Sequence, residues 1–151
     1  MSGVYEDYLQ YLMDLADIMD QLTEVTRQKN KAARLGDLVA VEDMMKREQV
    51  FSMTLRGMDI KRDKMLKEMG LEGVPLSGLA ERYPPELFDK ARKTAEHAMQ
   101  RYTVFKSASE TARVTMECAL HDIDRMLPQE RPAPQGPKDE PPPRMKTDFR
   151  A

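Results

Sequence analysis

The sequence predicts an all-α fold: an elongated antiparallel helical hairpin, one long C-terminal helix completing a three-helix bundle or coiled coil, and a disordered tail. Three observations predict it. Apolar residues recur at alternating steps of three and four through nearly all of residues 4–127, which is the signature of a helix with one buried face. Helix-favouring Met, Leu, Ala, Glu, Lys and Arg dominate, whereas glycine is limited to 7 residues, too few for a turn-rich β fold. Seven of the ten prolines fall between Pro128 and the end, where a packed helix could not accommodate them.

The first helix is expected over about Val4 to Arg34. Tyr5, Tyr8, Leu12, Leu15, Met19 and Leu22 form its seam, and Val4, Tyr11, Ile18 and Val25 lie beside it. The three N-terminal tyrosines are expected to pack with their hydroxyls at the rim. Acidic Glu6 and Asp7 lead and basic Lys31 and Arg34 close, matching the helix dipole at both ends. Gly36 is placed to end the helix with a positive φ, and Asp37 to cap the next one. So short a connection requires the second helix to return antiparallel.

The second helix is expected over about Leu38 to Met69. Its seam reads Val41, Met44, Glu48, Phe51, Leu55, Met58, Arg62, Met65 and Met69, with Leu38, Met45 and Leu66 in a second row. Glu48 and Arg62 interrupt the apolar run. Gly57 sits in the interior, where glycine costs roughly 1 kcal/mol relative to alanine. Gly70 ends the helix. In the connector that follows, Pro75 is suited to open a short helix to about Arg82. Leu71, Val74, Leu76 and Leu79 are expected to plug the end of the bundle.

The third helix is expected from about Pro85 to Leu127. Phe88, Ala91, Ala95, Ala98, Tyr102, Phe105, Ser109, Ala112, Met116, Ala119, Ile123 and Met126 keep the three-four spacing without a break. At ~1.5 Å per residue the first two helices reach roughly 45–48 Å and the third roughly 64 Å, so the third should overshoot the hairpin by about 10–20 Å. The overshoot carries Met116, Ala119, Leu120, Ile123, Met126 and Leu127. An apolar stripe lacking an internal partner marks a binding surface, and an amphipathic helix is its natural ligand.

From Pro128 onward the chain holds too little apolar surface to offset the entropy of ordering, so residues 128–151 are expected to be disordered. Met145 and Phe149 are the large apolar residues there and the natural anchors of a docking motif.

Composition narrows the function class. The net charge is −2 with the signs interspersed, which gives no electrostatic case for nucleic acid. Nor does any apolar run approach the ~20 residues of a membrane span. Cys118 is alone, so no intrachain disulfide forms and a reducing compartment fits. Cys118 and His121 lie on neighbouring faces but have no orienting third group. His97 and His121 stand outward without a ligand set for zinc. No phosphate-binding glycine loop or paired-carboxylate site is present. The expectation is a cytoplasmic, non-enzymatic binding protein without catalytic residue, cofactor or metal. Thirteen methionines suit a surface that accepts varied partners.

The Gly36-Asp37-Leu38 turn after a long first helix, the closing run Arg62, Met65, Leu66, Met69, Gly70, Leu71, the leucine-containing connector and the very long last helix together resemble the FlgN-like family of flagellar export chaperones over roughly residues 5–127. The resemblance lies in the order and length of elements more than in any diagnostic residue. It implies a cytosolic type III export chaperone that binds the amphipathic C-terminal helices of flagellar hook-associated proteins at the hook–filament junction. Such a chaperone prevents their early assembly and delivers them to the export gate or its ATPase. It would act as a monomer or weak homodimer, with the C-terminal helix carrying the client. The alternative is a client-free coiled-coil adaptor or a regulator of a secretion ATPase, whose whole seam would be matched in a stable dimer.

Overall fold

Two glycine turns close helices by the same pair of hydrogen bonds. In a computed structural model describing residues 3–126, helix α1 spans Gly3–Leu35, α2 Leu38–Met69 and α3 Phe88–Met126. At the end of α1, Gly36 donates to Ala33 and Asp37 donates to Ala32 at 2.9 Å; at the end of α2, Gly70 donates to Lys67 and Leu71 to Leu66 at 2.9 Å. Both glycines are left-handed, with φ of 72° and 69°, the conformation this motif demands. Asp37 then accepts from the Ala40 amide at 3.1 Å, capping α2 as its position implies.

The connector departs from the single short helix expected over 75–82. Separate 3-10 turns occupy Leu76–Gly78 and Ala80–Arg82, and a third, Pro85–Leu87, leads into α3. Pro75 is extended (φ −67°, ψ 152°) and stands just outside the first of them. Leu71, Leu76, Leu79 and Tyr83 are buried in the core, with Val74 packed against it. They close the end of the molecule at which α1 begins. The Tyr83 ring meets Tyr5 edge-on, with centroids 4.9 Å apart.

Helix α1 is the centre of the fold. Both α2 and α3 pack along its length, while α2 and α3 approach each other little among the described residues. Hence α1 is buried on two faces. Besides the expected seam, Leu9, Ala16, Thr23 and Thr26 are buried. Thr23 satisfies its hydroxyl by donating to the Met19 carbonyl at 2.7 Å. The tyrosines are also more deeply placed than expected: Tyr8 and Tyr11 are 1% and 2% exposed, so these rings lie in the core and not at its rim.

The two partners bind α1 by different chemistry. Helix α3 presents alanines, and Ala91, Ala95 and Ala98 are at most 4% exposed. Small side chains let the two backbones approach closely, trading buried area per residue for dispersion contact. Helix α2 brings larger residues, Leu55, Leu66 and Met44, and its two polar interruptions find partners on α1. Glu48 accepts from Thr26 at 3.0 Å and pairs with Lys29 at 2.8 Å. Arg62 lies near the Tyr8 hydroxyl, where its charge opposes the effect of burial on the phenol. Three expectations fail here. Leu38 and Met45, placed in the second row of α2, are 70% and 44% exposed, Phe88, placed first in the α3 seam, is 39% exposed, and Ser109 of the same seam is exposed. Each lies at an element end or beyond the contact width of a single neighbouring helix.

Candidate functional site

The register between α1 and α3 is set by polar contacts at two levels. Tyr83, just before α3, donates to the Tyr5 carbonyl at 2.9 Å, and Arg101 donates to Asp20 at 3.3 Å; the paired residues are 78 and 81 apart in sequence. A nearly constant offset means that the helices run parallel. It places Leu35, the last residue of α1, level with about Arg113 to Met116. The remaining ten or so residues of α3 extend beyond the hairpin by roughly 15 Å.

Burial along the α3 seam follows this geometry. Ala112 is 1% exposed, opposite the end of α1. Met116 and Ala119 are half-buried. Leu120 is 58% and Met126 85% exposed. Ile123 lies in α3 between them. Leu127, Met145, Phe149 and residues 128–151 as a whole lie outside the described residues. The same end of the molecule holds two residues that the periodicity did not single out, Leu35 and Val39, 74% and 80% exposed at the hairpin tip, beside Leu38 at 70%. Apolar residues flanking a tight Gly-Asp turn were the available signal, because such a turn holds its neighbours outside the bundle.

The stretch of α3 that leads into the free portion is braced on its outer face. Arg113 bonds to both Glu110 and Glu117, pairs three and four residues apart that stabilise an exposed helix. The Arg113 guanidinium holds the Glu110 carboxyl below its ordinary range, and the two carboxylates in turn hold the guanidinium proton more firmly. Lower down, a shallow groove between α1 and α3 is lined by Arg27, Asn30, Thr103, Val104, Ser107, Ala108 and Thr111. The hydroxyls of Thr103 and Thr111 are turned back to their own helix backbone, on Met99 and Ser107.

The reactive side chains are dispersed. Cys118 is exposed, as are His97 and His121. Among the described residues no group of three or more His, Cys, Asp and Glu side chains is placed to hold a metal ion, and no helix is long and apolar enough to cross a membrane. What this end of the molecule can do chemically is bury apolar surface against a complementary helix. Comparison with protein-family models, with curated proteins and with solved structures finds no significant match to this chain.

Proposed function

We propose that the chain is a helix-binding chaperone whose client lies against the free end of α3 and the hairpin tip. The observation that carries this reading is the parallel register, which leaves Leu120 and Met126 exposed beyond the end of α1. Methionine suits such a surface, since its unbranched, polarizable side chain adapts to differing partners. The resemblance to flagellar export chaperones supplies the client class: amphipathic C-terminal helices of hook–filament junction proteins, held in the cytoplasm and passed to the export gate. Covering the stripe would contribute roughly 25 cal/mol per Å² of apolar area before the entropy of association is subtracted.

Calorimetry with the C-terminal segment of a hook–filament junction protein tests this. Leu120→Asp should weaken binding more than tenfold, because a carboxylate must be desolvated in the contact. Its melting temperature should match the wild type, given the exposure of Leu120. Equal affinity in the variant, or no binding by the wild type, would remove the reading.

A further inference from the structure

Beyond the end of α1 the apolar stripe of α3 is edged by acid. Met116, Ala119, Leu120 and Met126 share one face of the helix, since successive residues turn by about 100°. By the same turn Asp122 falls at one edge of that face, and Asp124 and Glu117 at the other, each roughly 100–125° from its centre. All three carboxylates are exposed. The basic groups are placed otherwise. Arg113 stands near the stripe but is bonded to Glu110 and Glu117. Arg125 falls on the far side of the helix, as does His121. Lys31 and Arg34, exposed on α1, are level with about Arg113 and stop short of the last turns of α3.

We infer that residues 144–150 of the same chain cover this stripe when no client is bound. Met145 and Phe149 are the apolar anchors, and Arg144, Lys146 and Arg150 meet Asp122, Asp124 and Glu117. Charge selects this segment. Asp148 is its only acid, so the run 144–150 carries +2. The other charges after α3 are Glu130, Arg131, Lys138, Asp139 and Glu140, which sum to −1 and are set apart from the run by Pro141, Pro142 and Pro143.

Tether length selects the chain's own copy. Met145 follows Met126 by 19 residues, which span at most ~65 Å. The stripe from Met116 to Met126 is ~15 Å long, so all of it is within reach. A tether of this length presents its segment at an effective concentration of mM order, which an untethered second copy at μM concentration does not match. Two anchors make a small contact, and a client helix that covers the whole stripe displaces it. This displacement rests on the client-binding reading, whereas the covering of the stripe does not.

Paramagnetic broadening in the full chain tests the inference. A nitroxide is placed on Cys118, the single cysteine, which is exposed on α3. The amides of Lys146 and Phe149 should broaden more than those of Gln135 and Gly136, although the latter are nearer to Cys118 in sequence. Leu120→Asp and, separately, the double variant M145S/F149S should remove the excess while circular dichroism is unchanged. Broadening that falls steadily from Arg131 to Arg150, as tethering alone produces, overturns the inference. So does broadening of Phe149 only by spin-labelled copies mixed with isotope-labelled ones, which would make the occupant a second chain. In calorimetry with the C-terminal segment of a hook–filament junction protein, M145S/F149S should bind about threefold to tenfold more tightly than the wild type, as a stripe covered most of the time requires. Equal affinity overturns the displacement. If neither chain binds that segment, the client reading fails, and the broadening alone decides whether residues 144–150 cover the stripe.

Discussion

The Tyr83 hydroxyl donates to the main-chain carbonyl of Tyr5 at 2.9 Å, joining the connector to the first turns of α1 across 78 residues of sequence. This one bond, with the edge-on ring contact beside it, anchors the parallel start of α3 against α1. Tyr83→Phe keeps the ring and removes the donor. It should lower stability by about 0.5–1.5 kcal/mol, the net worth of a hydrogen bond, measured by urea denaturation with an unchanged m-value.

Alkaline pH should unfold the chain through its buried phenols. Burial raises the pKa of Tyr11 and Tyr83 above the ordinary 10.0, and Tyr8 is raised by burial against the opposing effect of Arg62. A raised folded-state value means that the native state holds the proton more tightly. Stability is then full below pH ~10 and falls as pH climbs towards the folded values. Tyrosinate absorbance and loss of helix should therefore appear together above pH 10. The buried Tyr11 hydroxyl has no hydrogen-bond partner among the described residues. Accordingly, Tyr11→Phe should change stability at pH 7 by less than ~1 kcal/mol and shift the alkaline transition upward.

Gly36→Val should destabilise the hairpin by about 1–2 kcal/mol, since a β-branched residue resists the φ of 72° that the turn requires. The space around the position is open, so the cost is conformational alone. Gly36→Asn, which tolerates positive φ, should recover most of it in thermal melts. Equal losses for the two variants would point to a steric cause.

Ala98→Leu should be among the most damaging single changes in the molecule. Ala98 is 1% exposed on the alanine face of α3, and a leucine there must push the helices apart at a cost of about 1–3 kcal/mol or more. Ser109→Leu, at an exposed position of α3, should be nearly silent in denaturant titrations. Similar effects at both sites would contradict the close α1–α3 packing.

Acid should loosen the part of α3 around Arg113, where the free portion begins, before the core. Because Glu110 has a lowered folded-state pKa, its support to the helix is present above its ordinary value of 4.5 and is lost as pH falls through the lower folded one. Backbone carbon chemical shifts near Arg113 should drift towards coil values over that range, while those of α1 stay fixed. Glu110→Gln should show part of the drift already at pH 7.

The helices and their ends were legible in the sequence because their causes are local. Three-four spacing, a capping Asp37, and Gly36 and Gly70 at positive φ act within a few residues of themselves, so α2 could be bounded at Leu38 and Met69 without knowing its neighbours. The longer third helix was legible too, and with it an overshoot estimated from rise per residue. Periodicity names a face but not what covers it, and that limit accounts for the differences. Only the tertiary arrangement made α1 central, burying Leu9 and Ala16 on its second face and drawing Tyr8 and Tyr11 wholly into the core. It likewise left Leu38 and Met45 exposed, because α2 touches one helix along its length and not two. An outer stripe of α2, Val50, Met53, Gly57 and Ile60, has the same spacing as a core seam. Its exposure is decided by which side of α2 faces α1, the side that buries Val41, Met44, Leu55 and Leu66 and joins Glu48 to Thr26 and Lys29.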